Sequence, residues 1–142
     1  MKHISPNGVN LIKSFEGLRL EAYKPVKTEK YWSIGYGHYG ADVKAGQKIT
    51  LMHAELLLLQ DLKRFEANVN SYDNRYRWTQ NEYDALVSFA YNIGSINQLT
   101  ANGRRSKAEI ADAMMLYVKA GKKTLPGLVA RRTKERALYV QK

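Results

Sequence analysis

The 142 residues contain no cysteine. That excludes a disulfide framework, a thiol nucleophile and any cysteine-based metal site, and it leaves the compartment unreadable from redox chemistry. Long apolar runs are missing too. Leu56 to Leu59 is the longest leucine tract, and Gln60 and Asp61 break it at once, far short of the ~20 residues a membrane-spanning helix needs. The N-terminus, Met1-Lys2-His3-Ile4-Ser5-Pro6, has no apolar core of signal-peptide length, so work outside the cytoplasm would depend on release by another agent. Histidine is scarce: His3, His38 and His53 show no HExxH spacing, and no metal or other cofactor is expected.

Acids are also in short supply, 13 against 23 Lys/Arg, for a net charge of +10. The excess is uneven. From Gly103 to Lys142 there are 11 Lys/Arg and 3 Asp/Glu, which points to a polyanionic partner: nucleic acid, a membrane surface or a bacterial envelope polymer. A solvated helical face tuned for solubility gives the same composition, so charge alone does not choose. No RNP, KH or zinc-finger signature accompanies the charge, and nucleic acid is not the expected partner.

With 44% hydrophobic residues, the chain is long enough for one domain with a real core. Ser5-Pro6 opens a helix that carries Val9, Ile12 and Phe15 at three-residue spacing and runs to about Glu16. From Leu18 to about Gly40, Tyr, Trp, Val and Ile cluster between Pro25, Gly35, Gly37 and Gly40 and read as a small antiparallel sheet or hairpin. Thr50 opens a leucine-rich helix to about Val69. Thr79-Gln80-Asn81-Glu82 and Ser106-Lys107-Ala108-Glu109 are capping boxes. The helix after the first stops at Gly94, and the helix after the second is expected to run to Gly121. Leu125-Pro126-Gly127 starts a last, basic helix. The fold class is α+β, mostly helical with a small β lobe at about residues 18–48.

Glu16 is the most informative residue. It falls in the last turn of the first helix, closed by Gly17, where a carboxylate faces the negative end of the helix dipole and its ionised form is disfavoured. A cation must compensate, or the acid is useful while protonated. The glycine-rich segment Ser33-Ile34-Gly35-Tyr36-Gly37-His38 follows. A lone acid followed by such a segment suggests a cleft with a tuned general acid.

Three ordered motifs, Phe15-Glu16-Gly17-Leu18-Arg19-Leu20, Tyr31-Trp32-Ser33-Ile34-Gly35-Tyr36-Gly37-His38 and Leu125-Pro126-Gly127-Leu128-Val129-Ala130-Arg131-Arg132, resemble those of the phage-type lysozymes, the endolysin muramidases of tailed phages. The resemblance covers nearly the whole chain. It implies a single lysozyme-like catalytic domain over 1–142, with an active-site cleft between a β lobe and a helical lobe. The implied activity is hydrolysis of the β-1,4 bond between N-acetylmuramic acid and N-acetylglucosamine in peptidoglycan, with Glu16 as general acid. It further implies an inverting mechanism, no cofactor, and an arginine of the last helix, Arg131 or Arg132, beside Glu16. A monomer is the expected state. The enzyme would accumulate in the host cytoplasm until a holin-type pore released it, and its basic C-terminal region would draw it onto anionic envelope polymers.

The second acid departs from the pattern. The family's Asp, nine residues after the Glu, and its Thr, fifteen after it, fall here on Pro25 and Tyr31. A shift of two residues puts Ser33 in place of Thr, still a hydroxyl able to orient water. The nearest acid is Glu29. If residues 29–33 run as a regular strand, Glu29, Tyr31 and Ser33 share a face, so Glu29 is the expected second catalytic carboxylate, with Glu21 and Asp42 weaker candidates. A solvated turn-tip glutamate between Lys27 and Lys30 is the competing reading. Gly35 and Gly37 suit close approach of a sugar chain to backbone, or tight turns alone. The resemblance places Asn92 as a cleft-lining amide, although a helix C-cap beside Gly94 explains it equally. It also pairs His38 with Asp61 in a supporting role. The loss of the usual Asp keeps a non-catalytic peptidoglycan-binding module and a lytic transglycosylase in view.

Overall fold

In the computed structural model, which describes all 142 residues, Ser5 starts helix α1 (Pro6–Glu16) by accepting the Val9 N–H at 3.0 Å. Its side chain goes elsewhere: the hydroxyl donates to Asp84, a fully buried carboxylate that also accepts the Ser5 N–H at 2.9 Å. Gly8 lies so close to Asp84 that a Cβ there would meet the Asp84 Cβ at 2.8 Å. A left-handed Gly17 (φ +71°) ends the helix directly after Glu16.

Three strands follow, β1 (Arg19–Tyr23), β2 (Trp32–Gly35) and β3 (His38–Gly40), in an antiparallel sheet of order β1-β2-β3. Tyr23 and Tyr39 both pair with Ser33, and Ile34 pairs with His38. Gly35 and Gly37 take left-handed backbone (φ +68° and +87°) to turn the chain between β2 and β3, so the turn by itself accounts for both. The inner face of the sheet contributes Ala22 and Ile34 to a small core with Val43, edged by Trp32, Ile49 and Leu57.

Helix α2 (Leu51–Asn70) is capped by Thr50, whose hydroxyl accepts the His53 N–H at 3.1 Å. After the short α3 (Asp73–Tyr76) come α4 (Gln80–Ile93) and α5 (Lys107–Met114), each opened by a complete capping box, at Thr79/Glu82 and Ser106/Glu109. A two-stranded hairpin, β4 (Lys119–Ala120) with β5 (Lys123–Thr124), precedes α6 (Pro126–Val140). Helix α4 is buried from Tyr83 to Ala90 and packs on α6, as expected of a helix apolar nearly all round. The chain divides into two compact units, Ile12–Lys63 and Met1–Leu11 with Arg64–Lys142. The whole is α+β, dominated by helix.

Two expectations fail. The second capping-box helix does not reach Gly121; it stops at Met114, and Leu116 and Tyr117 bond back three residues in single turns. Gly121 (φ +63°) instead turns the β4–β5 hairpin, which Leu125 closes by donating to the Val118 carbonyl at 2.9 Å. Residues 29–33 do not form a regular strand either. The segment after Pro25 turns, the Glu29 N–H donates to the Val26 carbonyl at 3.1 Å, and β2 begins only at Trp32. The alternation that would set Glu29, Tyr31 and Ser33 on one face does not apply.

Candidate active site

Within the unit Ile12–Lys63, Glu16 is the last residue of α1 and is half-buried. The chain turns immediately at Gly17 and enters β1 two residues later. Gly17 has nothing within 4 Å of where a Cβ would sit, so its glycine serves the left-handed turn alone.

Ser33 occupies the central strand and is 6% exposed. Directly opposed residues in an antiparallel pair share a face, so Tyr23, Ser33 and Tyr39 line one side of the sheet while Ala22 and Ile34 line the core side. The Arg19 guanidinium lies 4.3 Å from the Tyr23 ring centre, and Tyr31 meets Tyr39 edge-on at 5.5 Å. The Tyr31 N–H also points to the Tyr39 hydroxyl oxygen at 3.4 Å. This tyrosine platform around Ser33 was not picked out in the sequence, because strand register is needed to see it. Glu29 stands in the loop leading to β2, half-buried, between the exposed Lys27 and Lys30.

His38 and Asp61 are brought together, with Nδ1 and Oδ2 2.8 Å apart. A second carboxylate holds the other side of the ring, Asp42 Oδ2 at 2.8 Å from Nε2. A neutral imidazole can donate from only one nitrogen, so two carboxylate partners call for the imidazolium. Burial of the ring opposes protonation, but the hydrogen bonds and charges of Asp42 and Asp61 outweigh it, and His38 titrates above its ordinary 6.5. The His38-x-x-x-Asp42 spacing was the signal for this second partner. Bonded in this way, Asp42 holds the ring from the side opposite Asp61.

In the other unit, Asn92 is exposed in the last turn of α4, and its side-chain oxygen accepts from Arg132. Arg132 is fully buried, 4.8 Å from the Phe89 ring centre, with Nη1 3.1 Å from Glu135 Oε1. That contact is a charge pair without hydrogen-bond alignment, since Arg132 Nη1 and Glu135 Oε1 have no hydrogen-bond partner. Arg131 is tied to the same acid, donating from Nε to Glu135 Oε2 at 3.1 Å and from Nη2 to the Ser88 carbonyl at 3.0 Å. Ser88 Oγ donates to Glu135 Oε2 at 2.5 Å. Burial pushes the Glu135 carboxyl up, against the pull of Arg132, Arg131 and Ser88, and burial also lowers Arg132. Both arginines therefore belong to a buried network centred on Glu135, an acid that the sequence did not single out although Arg131 and Arg132 precede it by one helical turn.

No three His, Asp or Glu side chains gather as a metal-binding group. No helix is long and apolar enough to cross a membrane.

Known structures place this arrangement in the lysozyme class of α+β folds. The muramidase domain of SpmX from Asticaccaulis excentricus matches over the full length of both chains with a TM-score of 0.83 and 35% identity. A lysozyme of phage P22 matches 99% of this chain and all of its own with a TM-score of 0.78 and 36% identity. In sequence, the endolysin of Bacillus phage PZA is 48% identical over 96% of this chain, and the endolysin of Salmonella phage P22 is 36% identical over 99% of both chains. The phage lysozyme family model matches residues 13–135, and the chain belongs to that family. It spans 54% of the length of the Bacillus phage PZA endolysin.

Proposed function

We propose that the chain is the catalytic domain of an endolysin that hydrolyses the β-1,4 bond between N-acetylmuramic acid and N-acetylglucosamine in peptidoglycan, in the service of host lysis. The observation that carries this reading is the placement of Glu16 on the last residue of α1, held by the Gly17 turn ahead of β1, within a stretch matched from residue 13 by the family. Glycosidic cleavage needs a proton on a poor leaving oxygen while positive charge grows on the sugar ring. Glu16 supplies that proton.

A second group must prepare the water. Ser33 presents a hydroxyl from the central strand, and Glu29, on the loop entering that strand, is the carboxylate we assign beside it. The loop position replaces the strand alternation as the support for Glu29. An inverting path sets two such carboxyls ~6.5–9.5 Å apart, leaving room for the water. Tyr23 and Tyr39 flank Ser33 with faces suited to sugar rings. Asn92 is the amide we assign to the substrate's N-acetyl groups, and the Gly35–Gly37 turn offers backbone to the sugar chain. His38 with Asp61 supports the sheet, and Arg131 and Arg132 support α6. Residues 1–142 act as one catalytic domain and as a monomer, reach the wall after release from the host cytoplasm, and are held there by the basic C-terminal region.

Turnover of purified peptidoglycan by single variants tests the assignment. Loss of a general acid or of water activation typically costs about 10²–10⁴ in rate. Glu16→Gln and Glu29→Gln should each fall in that range while still binding peptidoglycan, and Ser33→Ala should fall less. Glu29→Gln within about twofold of wild type would remove Glu29 from the mechanism. The departure at Pro25 favours a second reading, a binding module that retains the fold. Wild-type protein that binds peptidoglycan and releases nothing would establish it.

A further inference from the structure

The solvent face of α2 has a composition that the proposed chemistry does not use. Its buried face is made by Ala54, Leu58, Leu62, Phe65 and Val69. On the opposite side, Met52, Leu56, Leu59 and Lys63 fall within about 60° of one another around a helix of 3.6 residues per turn. Met52 is 73% exposed, Leu56 52% and Leu59 45%, and Lys63 is exposed at the end of the line. A surface helix ordinarily puts polar residues there. Its negative charges, meanwhile, are committed elsewhere. Glu55 pairs with Lys13 at 2.9 Å, Asp61 with His38 at 2.8 Å, and Glu66 accepts the Ile4 N–H at 2.8 Å. The next residue along, Arg64, is an exposed cation over the Phe65 ring. What α2 offers to solvent includes an aliphatic stripe ending in positive charge, with the exposed His53 and Gln60 beside it.

We propose that this face of α2 docks on the surface of an anionic phospholipid bilayer, with Met52, Leu56 and Leu59 entering the headgroup–acyl boundary and Lys63 pairing with acidic headgroups. An apolar stripe ending in a cation fits an interfacial helix, and basic residues add attraction to anionic lipid. Charge complementarity separates this occupant from the others. Two copies of the face would set Lys63 into a contact that contains no uncommitted acid, on chains of net charge +10. Three side chains also cover far less than the ~800 Å² per partner of a stable protein interface. A glycan is recognised by aromatic faces and paired hydrogen-bonding groups, and this stripe has no aromatic face and only the Lys63 ammonium as a polar group. The bilayer needs only shallow aliphatic insertion and positive charge.

Sedimentation of the full chain with vesicles tests this, using phosphatidylethanolamine–phosphatidylglycerol vesicles against neutral phosphatidylcholine ones. The comparison is wild type, the triple variant M52Q/L56Q/L59Q, and Lys63→Gln. These positions are exposed, and an unchanged thermal melt checks the fold of each variant. Wild type should partition onto the anionic vesicles and much less onto the neutral ones. Partitioning should fall about tenfold or more in the triple variant and about fivefold in Lys63→Gln, in line with one basic residue's share of the attraction to anionic lipid. Peptidoglycan turnover by the triple variant should stay at the wild-type level. A triple variant that binds anionic vesicles as wild type does would overturn the proposal and leave charge elsewhere as the cause. So would a concentration-dependent dimer of wild type that the triple variant loses, since the face would then belong to a second copy.

Discussion

His38 shows at the scale of one residue how a sequence feature became a stability device. Both ring nitrogens face carboxylates at 2.8 Å, and the folded state therefore holds the proton more tightly than the unfolded one. For a raised histidine, the stabilisation is complete below the unfolded value of about 6.5 and is lost as pH rises through the higher folded value. Asp42 works in the opposite direction. The hydrogen bond from His38 lowers its pKa, so its contribution is present above the unfolded carboxylate value and is lost as pH falls through the folded one. The bridge is therefore strongest between the lowered carboxylate and the raised imidazole. An NMR titration should place the His38 midpoint above 6.5, and Asp42→Asn and Asp61→Asn should each bring it down. A midpoint at or below 6.5 in the wild type would contradict the bridge.

Glu135 is a second case at this scale. It is fully buried between Arg131 and Arg132, with Ser88 donating to it. Removing it takes the carboxylate from beside two buried guanidinium groups, and breaking a buried ion pair from one side costs about 3–5 kcal/mol. Urea denaturation of Glu135→Ala should show a loss of that size. A loss under about 1 kcal/mol would mean the arginines find other partners or water. The motif that carries Arg131 and Arg132 is contiguous in the sequence. Their burial around Glu135 depends on the packing of α6 on α4, which no local pattern reveals.

At the scale of elements, starts were legible and ends less so. Both capping boxes and the Pro126 start formed as read, because a cap is a local chemical event within four residues. The β4–β5 hairpin was missed because Leu116-Tyr117-Val118 continues the apolar spacing of α5. Gly121, free to take φ +63°, turns the chain between Lys119–Ala120 and Lys123–Thr124, and the Leu125 N–H closes the hairpin on the Val118 carbonyl. The strand expected over 29–33 failed for a related reason. Pro25 and the run Lys27-Thr28-Glu29-Lys30 favour a turn over a ladder. Two glycines measure how much these elements depend on close approach and handedness. Gly8→Ala must push Cβ into Asp84, an overpacking that costs about 1–3 kcal/mol. Gly35→Ala meets Ala54 only at ordinary contact distance, 3.4 Å, and should lose about 1–2 kcal/mol through its left-handed backbone. Thermal melts of the two variants check both values, and a Gly8→Ala protein as stable as wild type would refute the close approach.

Over the whole molecule, charge was the clearest property in the sequence and the one the structure redistributes most. Of the 11 basic residues after Gly103, Arg131 and Arg132 are buried. Lys107 is paired with Glu82 at 2.8 Å and Arg136 with Asp112 at 3.4 Å. The hairpin lysines Lys119, Lys122 and Lys123 are exposed, and the proposed attraction to anionic wall polymer should concentrate there. The triple variant K119Q/K122Q/K123Q should bind intact cell wall more weakly at low salt, and the difference should shrink near 1 M salt, where screening acts within about 3 Å. Equal binding by wild type and variant at low salt would move the attraction elsewhere on the chain.

The α+β class and the ordered motifs around Glu16, Ser33 and Arg131 were readable together because they are short and contiguous in the sequence. The second carboxylate was read as Glu29 from a strand alternation that residues 29–33 do not form, and a loop position has no fixed spacing to replace it. The central claim is that Glu16 protonates the leaving oxygen of a muramic acid glycoside. Mass-spectrometric analysis of the ends released from purified peptidoglycan tests it most directly, with wild type and Glu16→Gln digested side by side. New reducing-end N-acetylmuramic acid with wild type, absent with Glu16→Gln, is the predicted result. Anhydro-muramic ends, or the same reducing ends from both proteins, would contradict it.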